Sequence, residues 1–483
     1  MAASHYDRLS GLDNSFLIYE DAHPAGGMHV ASTQIHEAAP LTRGDGSLDI
    51  ELIEEYVLSR LDRIPRYRER LARTPIEGHP VWVDDASFNI RYHIRHSRLP
   101  RPGNERQLKR MVGRLFSQRL DREKPLWELW VIEGLEGDRV AIFSKVHHCM
   151  VDGVSGAELI SALLTTEPIS KPEPPGRWRP RAAPSRLALG AGEASRLLRM
   201  PWQAGSAIGR LVRDEDHARH HFAERARALG RLVRDAGGVP TPVPFNRPIG
   251  PHRRIDWLRV PMERIREIRE GVGGTVNDVV LATAAGAIDR FLSRVRGVDV
   301  DGVRFRVMAP VSVRTPEQRG TLGNRVSAWT VDLPIAERDP LTRLEIIRAA
   351  TRDLKEKKSA LGAETLTQVT EWTGSLLLSL GARLMNLGTP FNLVITNVPG
   401  PRTRLHLLES RMLEIHPHMP LLGTLGLGIA LFSYDGAVSW GFSADWDLVP
   451  DLHDLVLATE RSFAELHAAA TAAKRREPVP PHR

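Results

Sequence analysis

The stretch Lys145–Gly156 reads KVHHCMVDGVSG and begins inside a run of apolar and alternating residues, Arg139–His147, that predicts a β-strand. If the strand continues through both histidines, His147 and His148 point to opposite faces, because successive side chains alternate along a strand. Opposite faces disfavour a shared metal ion, so no metal site is predicted. One histidine can instead face a cleft, where a neutral imidazole is suited to take a proton from an alcohol.

The residues after the histidines add to this interpretation. Asp152 can orient a histidine or pair with an arginine, and Gly153 leaves room for the close approach of a ligand or a second strand. A plain alternative is a strand end with an Asp-Gly turn and two hydrogen-bonded structural histidines. That alternative does not explain why Gly153, Ser155 and Gly156 open a predicted helix directly afterwards.

Length and composition describe a globular protein with more than one core. The 483 residues exceed what one ordinary core holds, so two domains are expected. Apolar residues make up 42% and charged residues 26%, which excludes a mostly disordered chain. The single cysteine excludes an intrachain disulfide and fits a reducing, cytoplasmic compartment. The N-terminus lacks a basic-then-apolar signal, and no run of about 18 apolar residues predicts a membrane span.

Proline-rich stretches divide the chain into predicted parts. We expect a mixed α/β half at 1–170, a helical crossover rich in proline and arginine at 171–250, a second mixed half at 251–473 and a flexible tail at 474–483. Periodicity predicts helices over Leu52–Ile64, Gln107–Leu120, Val154–Leu164, Val276–Phe291, Leu341–Ser359, Leu366–Leu387 and Asp451–Ala473, and strands over Leu126–Glu133, Arg139–His147, Arg304–Pro310, Val326–Leu333, Phe391–Val398, Gly423–Ser433 and Ala437–Ala444.

The positive charge of the chain lies in the crossover. Residues Arg177–Arg234 contain 13 arginines and five acidic residues, so this segment carries the excess that gives the chain its net charge of +7. It reads either as a solvated helical connection or as a peripheral attachment to an anionic membrane or lipid droplet, with Trp178 and Trp202 nearby. Nucleic-acid binding is not expected, and the oligomeric state stays open.

Several motifs together resemble one enzyme family. His147–Gly153 matches HHxxxDG, which is shared by coenzyme-A-dependent acyltransferases related to chloramphenicol acetyltransferase, by peptide-synthesis condensation domains and by plant acyltransferases. Further segments resemble, in order and spacing, the bacterial wax ester synthase/diacylglycerol acyltransferase family over nearly the whole chain: Leu12-Asp13 with Phe16-Leu17, Met28-His29, Pro125-Leu126-Trp127, Asn277–Ala282, Gly323-Asn324 and Asn397–Pro401.

The resemblance implies two chloramphenicol-acetyltransferase-like α/β halves with the active site in a tunnel between them. It implies transfer of a fatty acyl group from acyl-CoA to diacylglycerol or a long-chain alcohol, with acyl-CoA as substrate and no cofactor. His148 is then the catalytic base, and His147 and Asp152 are orienting residues. Gly153, Pro125, Leu126 and Trp127 are expected to shape the site, and Asn277, Asp278 and Asn324 to line or brace it from the other half; Asn277 and Asn324 are candidate oxyanion donors.

Other readings remain open from the sequence. Cys149 could form an acyl-enzyme intermediate, although on a strand it would face the side of His147 rather than that of His148. Asp278 could simply cap a helix that begins after Gly274-Thr275. The same fold could take its acyl group from a carrier protein. A non-catalytic protein bound to a lipid droplet is a further alternative, and the intact His148, Asp152 and Gly153 argue against it.

Overall fold

The computed structural model describes residues 6–150, 162–174, 176, 178–196, 198, 239–312, 326–359 and 390–476. The strands are β1 Asp7–Arg8, β2 His29–Glu37, β3 Glu69–Arg73, β4 Pro80–Asp84, β5 Ile94–Arg98, β6 Trp127–Leu135, β7 Arg139–His147, β8 Arg253–Pro261, β9 Phe305–Ser312, β10 Val326–Leu333, β11 Leu393–Val398, β12 His406–Leu407, β13 Ser410–His418, β14 Leu427–Tyr434 and β15 Ala437–Asp445. The helices are α1 Gly11–Ala22, α2 Ile50–Arg60, α3 Ile90–His93, α4 Glu105–Ser117, α5 at 186–196, α6 Met262–Val272, α7 Val276–Arg290, α8 Pro340–Ser359 and α9 Leu452–Arg476.

A six-stranded mixed sheet forms the N-terminal half, in the order β12-β13-β2-β7-β6-β5. Its strands pair antiparallel except β5 and β6, which are parallel. The apolar residues that alternate along β7 lie in the core on both faces of this sheet, with Ile142 on one side and Phe143 on the other. The strand β7 is thus central, and its end carries the two adjacent histidines.

A second six-stranded mixed sheet forms the C-terminal half, in the order β10-β9-β11-β14-β15-β8. Here β11 is parallel to both of its neighbours. Helix α7 packs against α8 and α9 and is buried on nearly all sides, which explains why its sequence is apolar or small around the whole helix. Two mixed sheets covered by helices confirm the predicted α/β class.

One strand from late in the chain completes the N-terminal sheet. Strand β13 pairs antiparallel with β2, so that His418 lies opposite Ala31 and Met412 lies opposite His36. Helix α4, from the first half, packs in turn against β8 of the second sheet. The two sheets therefore do not divide the chain at one linker, because a strand that follows residue 400 completes the sheet that residues 29–147 begin.

The element bounds agree with the sequence predictions to within a few residues in most places. The strands β7 and β10 have the predicted bounds. Strand β14 begins four residues later than expected, because Leu422–Leu425 forms a turn. Helix α2 ends at Arg60 and continues only as a 3₁₀ turn before Pro65. Helix α9 runs to Arg476, into the segment predicted as a tail. The helices predicted over Val154–Leu164 and Leu366–Leu387 lie almost wholly outside the described residues.

No single helix among the described residues combines the length and apolar composition needed to cross a membrane. One pair of helical segments, Met262–Val272 and Val276–Val295, meets that test only when taken together, and the two are bent by 98°.

Buried histidines make the fold sensitive to acid. Burial lowers the pKa of His36 and His93 to about 4 and that of His418 to about 3. Each of these rings is neutral in the folded protein, whereas it binds a proton below about pH 6.5 in the unfolded chain. Their contribution to stability is therefore complete above pH 6.5 and is lost as the pH falls towards 4.

We expect the free energy of unfolding to drop by about 1 kcal/mol per histidine between pH 7.5 and pH 5.5. Urea unfolding followed by tryptophan fluorescence at the two pH values measures this change. His418→Gln keeps a polar group near Thr33, whose hydroxyl lies 2.8 Å from His418 Nε2, and removes the titrating ring. The variant should lose about 1 kcal/mol of the pH dependence; an unchanged pH dependence would contradict this explanation.

Candidate active site

The two motif histidines lie where β7 ends and a tight turn begins. Strand β7 stops at His147, and His148–Met150 forms a 3₁₀ turn. The backbone N–H of His148 donates to the carbonyl oxygen of Met28 at 2.8 Å. The assumption that strand alternation continues through His148 is therefore wrong. The strand ends at His147, and His148 already belongs to the turn. The two histidines still have separate surroundings, which the turn rather than the strand provides.

His148 is partly exposed and has an unusual ring environment. Its ring centroid lies 4.0 Å from that of Phe16 on α1. Its Nδ1 atom is buried and has no hydrogen-bond partner within the described part of the chain. Desolvation lowers the pKa of His148 to about 4, so the imidazole is neutral at pH 7. Neutral imidazole is the form that a general base requires, although the same burial makes it a weaker base.

His147 is fully buried and belongs to a charged network. Its Nε2 atom lies 3.3 Å from Oε2 of Glu20, a residue that is only 2% exposed. The Arg122 guanidinium donates to the same oxygen at 2.5 Å. Burial alone would raise the pKa of Glu20, but the hydrogen bonds from His147 and Arg122 hold it well below its usual range. An ionised carboxylate is therefore buried directly behind the motif.

Cys149 shares the surroundings of His147. Its sulfur lies 3.0 Å from Nδ1 of His147, and its side chain is 1% exposed. Burial raises the pKa of this thiol well above its ordinary value, so the nucleophilic thiolate is suppressed. This environment is that of a structural cysteine rather than of an acyl-accepting nucleophile.

The predicted Pro125-Leu126-Trp127 motif lies in the core beside the histidines. All three side chains are buried. The backbone N–H of His147 donates to the carbonyl oxygen of Leu126 at 3.0 Å. The indole of Trp127 stacks on His93 with centroids 4.5 Å apart. The motif thus braces the end of β7, while its role in shaping a channel stays a prediction.

The predicted Asn277-Asp278 pair lies at the start of α7, and both side chains make structural hydrogen bonds. Asp278 accepts hydrogen bonds from the Thr275 backbone at 2.7 Å and from the Thr351 hydroxyl at 2.8 Å, which makes it a capping residue. The Asn397 amide donates to Oδ1 of Asn277 at 2.7 Å. This bond joins two of the segments that resemble family motifs. Asp152, Gly153 and Asn324 lie outside the described residues.

Helix α1 also ties the motif to the other half of the protein. Its Tyr19 hydroxyl accepts a hydrogen bond from the backbone N–H of Gly423. Nearby, the buried guanidinium of Arg253 on β8 donates to the carbonyl oxygen of Ala25. A separate cavity lies within the N-terminal half, beside Leu163 and Leu164. The tunnel between the halves stays a prediction.

Sequence reasoning missed Glu20 and Arg122, and it gave Phe16 no role in the site. The sequence does contain an indication for Glu20. It lies four residues after Phe16, so a helix places both side chains on one face. No such local signal existed for Arg122, which reaches Glu20 from a loop about a hundred residues away.

Solved structures with the same fold define the class of protein. The wax ester synthase/diacylglycerol acyltransferase from Marinobacter aquaeolei superposes with a TM-score of 0.66 at 24% identity, covering 96% of this chain and 99% of that one. The starter condensation domain of rhizomide synthetase, solved with C8-CoA and Leu-SNAC, superposes with a TM-score of 0.57 at 12% identity, covering 97% and 95%. The fold is that of the chloramphenicol-acetyltransferase-like proteins.

Sequence comparison narrows the class to a family. The model of the wax ester synthase/diacylglycerol acyltransferase catalytic domain matches residues 9–280, and that of the family's C-terminal domain matches residues 322–467. Two Mycobacterium tuberculosis proteins named as diacylglycerol O-acyltransferases are 34% and 30% identical to this chain. The first alignment covers 95% of this chain and 90% of the relative, and the second covers 96% of each. This chain belongs to the wax ester synthase/diacylglycerol acyltransferase family and is an acyltransferase.

Proposed function

We propose that the protein moves a fatty acyl group from acyl-CoA to the hydroxyl of diacylglycerol or of a long-chain alcohol, giving triacylglycerol or a wax ester. The observation that carries this proposal is the neutral imidazole of His148, held in a tight turn at the end of the central strand in a member of this family. The names of the mycobacterial relatives support diacylglycerol as an acceptor.

In the proposed reaction His148 removes the proton of the acceptor hydroxyl while the hydroxyl oxygen attacks the thioester carbonyl of acyl-CoA. The tetrahedral oxyanion collapses, the carbon–sulfur bond breaks, and the coenzyme A thiolate takes the proton back from the imidazolium. Asn277 is a candidate donor to the oxyanion, because Asn397 occupies its Oδ1 atom and the Nδ2 group is thereby turned elsewhere. Asn324 is a second candidate donor.

The imidazolium formed during the reaction needs a stabilising partner. Burial favours the neutral ring, so a proton taken by His148 costs energy unless a charge or an acceptor meets its Nδ1 atom. We assign this role to Asp152, four residues further along the chain. Gly153 would give the substrate a close approach to the backbone.

A direct assay tests the substrate assignment. Purified protein is incubated with palmitoyl-CoA and either hexadecanol or a diacylglycerol, and ester product and released thiol are both measured. A parallel reaction replaces palmitoyl-CoA with a carrier-protein-bound palmitoyl group. We expect ester formation from the CoA thioester with at least one acceptor. Product only from the carrier-bound donor, or from neither donor, would overturn the proposal.

We further propose that the protein attaches peripherally to an anionic membrane or lipid-droplet surface through the basic crossover. Part of this charge is used internally, since Arg181 pairs with Asp84 and Arg196 pairs with Glu77. Leu187 and Leu198 are 86% and 75% exposed, which supports contact with an apolar surface. Flotation with anionic and neutral vesicles at low and high salt tests this; binding that ignores both charge and salt would contradict it.

A further inference from the structure

Helix α1 contacts both motif histidines with side chains that lie one helical turn apart. The ring of Phe16 lies against that of His148, tilted by 38°, and Glu20 binds the ring of His147. The spacing of four residues puts both side chains on the same helix face. Since this face covers the turn His148–Met150, α1 can control the position of that turn.

The hydrogen bonds around His147 define where its proton lies. The backbone N–H of Cys149 donates to Nδ1 of His147 at 3.2 Å, so this nitrogen carries a lone pair. The ring proton is then on Nε2, which donates to Oε2 of Glu20. His147 is therefore a link between a carboxylate on α1 and the backbone of the turn.

The neighbouring His29 does not donate a hydrogen bond to Glu20. The backbone N–H of Leu120 points to Nε2 of His29 at 3.4 Å, so this nitrogen is also an acceptor. Burial lowers the pKa of His29 well below its ordinary value and keeps the ring neutral. His147 and Arg122 are consequently the side chains that donate to Glu20 within the described structure.

We propose that Glu20 is a positioning residue for acyl transfer, an inference that rests on His148 being the base in the proposed function. The Glu20 carboxylate holds His147 in the tautomer with the proton on Nε2. The unprotonated Nδ1 atom of His147 then fixes the Cys149 N–H, and with it the turn from which His148 projects. Glu20 acts through these contacts and does not itself touch the reacting atoms.

Three substitutions separate this role from that of a simple ion pair. Glu20→Leu keeps the bulk but cannot accept a hydrogen bond, and we expect kcat to fall about 30- to 100-fold with the KM for palmitoyl-CoA within about twofold. Glu20→Gln still offers an oxygen to His147 and should recover kcat to within about fivefold of the wild type. Asp21→Asn is the matched control, because Asp21 also binds Arg122 yet is half exposed and makes no contact with His147.

The pattern of losses distinguishes the explanations. If the pairing with Arg122 alone mattered, Glu20→Gln would be as damaging as Glu20→Leu, and the proposal would fail. It would equally fail if Glu20→Leu were as active as Asp21→Asn while His148→Ala was inactive, although the proposed function would then stand. Turnover that survives His148→Ala would instead overturn the proposed function.

A spectroscopic measurement reports the His147 tautomer directly and does not depend on turnover. Histidine-selective ¹⁵N labelling of the whole protein reports the tautomer of each ring, and His147→Gln assigns the His147 signals. We expect the proton on Nε2 in the wild type and in Asp21→Asn, with loss of this single tautomer in Glu20→Leu. A wild-type His147 protonated on Nδ1, or on both nitrogens, would overturn the proposal.

Discussion

Replacing His148 by alanine is expected to lower the rate of acyl transfer by about 10²- to 10⁴-fold, which is the usual contribution of a general base. The loss should appear in kcat, because the ring accepts the hydroxyl proton only as the new bond forms. The measurement is the initial rate of ester formation from palmitoyl-CoA with the acceptor that the wild-type protein prefers. Circular dichroism and the thermal midpoint of the variant show whether the fold has been kept.

Two further variants serve as controls for the His148→Ala result. His453→Ala removes a histidine whose side chain is 68% exposed in α9, and its rate should match that of the wild type. Cys149→Ala removes the thiol next to His147 and should keep the rate within about threefold, because the buried thiol is protonated. A large loss in Cys149→Ala together with an active His148→Ala would favour an acyl-cysteine mechanism and contradict the direct transfer proposed above.

Replacing Gly441 by alanine is expected to destabilise the protein by at least about 3 kcal/mol, at the upper end of the usual cost of overpacking. Gly441 lies on β15 where this strand passes β13, and a Cβ atom there would overlap the carbonyl oxygen of Pro417. Neither backbone can retreat easily, since Pro417 is paired opposite Ser32 and Gly441 opposite Trp257. Soluble yield and the urea midpoint of tryptophan fluorescence measure the effect.

Gly428→Ala is the matched control for Gly441→Ala. It lies on the neighbouring strand β14, and a Cβ there would meet the sulfur of Met419 at 2.8 Å. A methionine side chain can rotate away, whereas a carbonyl in a sheet cannot, so we expect a cost below about 1.5 kcal/mol. Equal urea midpoints for Gly441→Ala, Gly428→Ala and the wild type would contradict this prediction. They would show that β13 and β15 can move apart without a loss of stability.

Local patterns predicted the strand that ends at the motif and the helix that starts at Asn277-Asp278. Both depend on neighbours in the sequence: alternation of apolar residues gives β7, and a Thr-Val-Asn-Asp start gives the cap of α7. The same local reasoning placed Cys149 beside His147, which the structure confirms, although through a turn rather than a strand. The assignment of a fatty acyl ester reaction came from the resemblance of several separated motifs and not from periodicity.

Contacts between distant segments could not be predicted in this way. Nothing near Glu20 indicates that Arg122 reaches it, and nothing near His29 indicates that β13 lies beside β2. Such pairings depend on the packing of the whole chain, since a strand edge accepts any partner of suitable register and pattern. The burial that lowers the pKa of His148 is likewise a property of the assembled core.

The pairing of β13 with β2 also bears on how the protein emerges from the ribosome. The edge of β2 is covered only after residue 418 has been synthesised, while the rest of its sheet is complete by residue 147. Until then the nascent chain presents an unpaired edge, which is a template for aggregation. Chaperone demand should therefore last from the synthesis of residue 147 until that of residue 418, and a fragment that stops before β13 should be insoluble even though it contains the histidine motif.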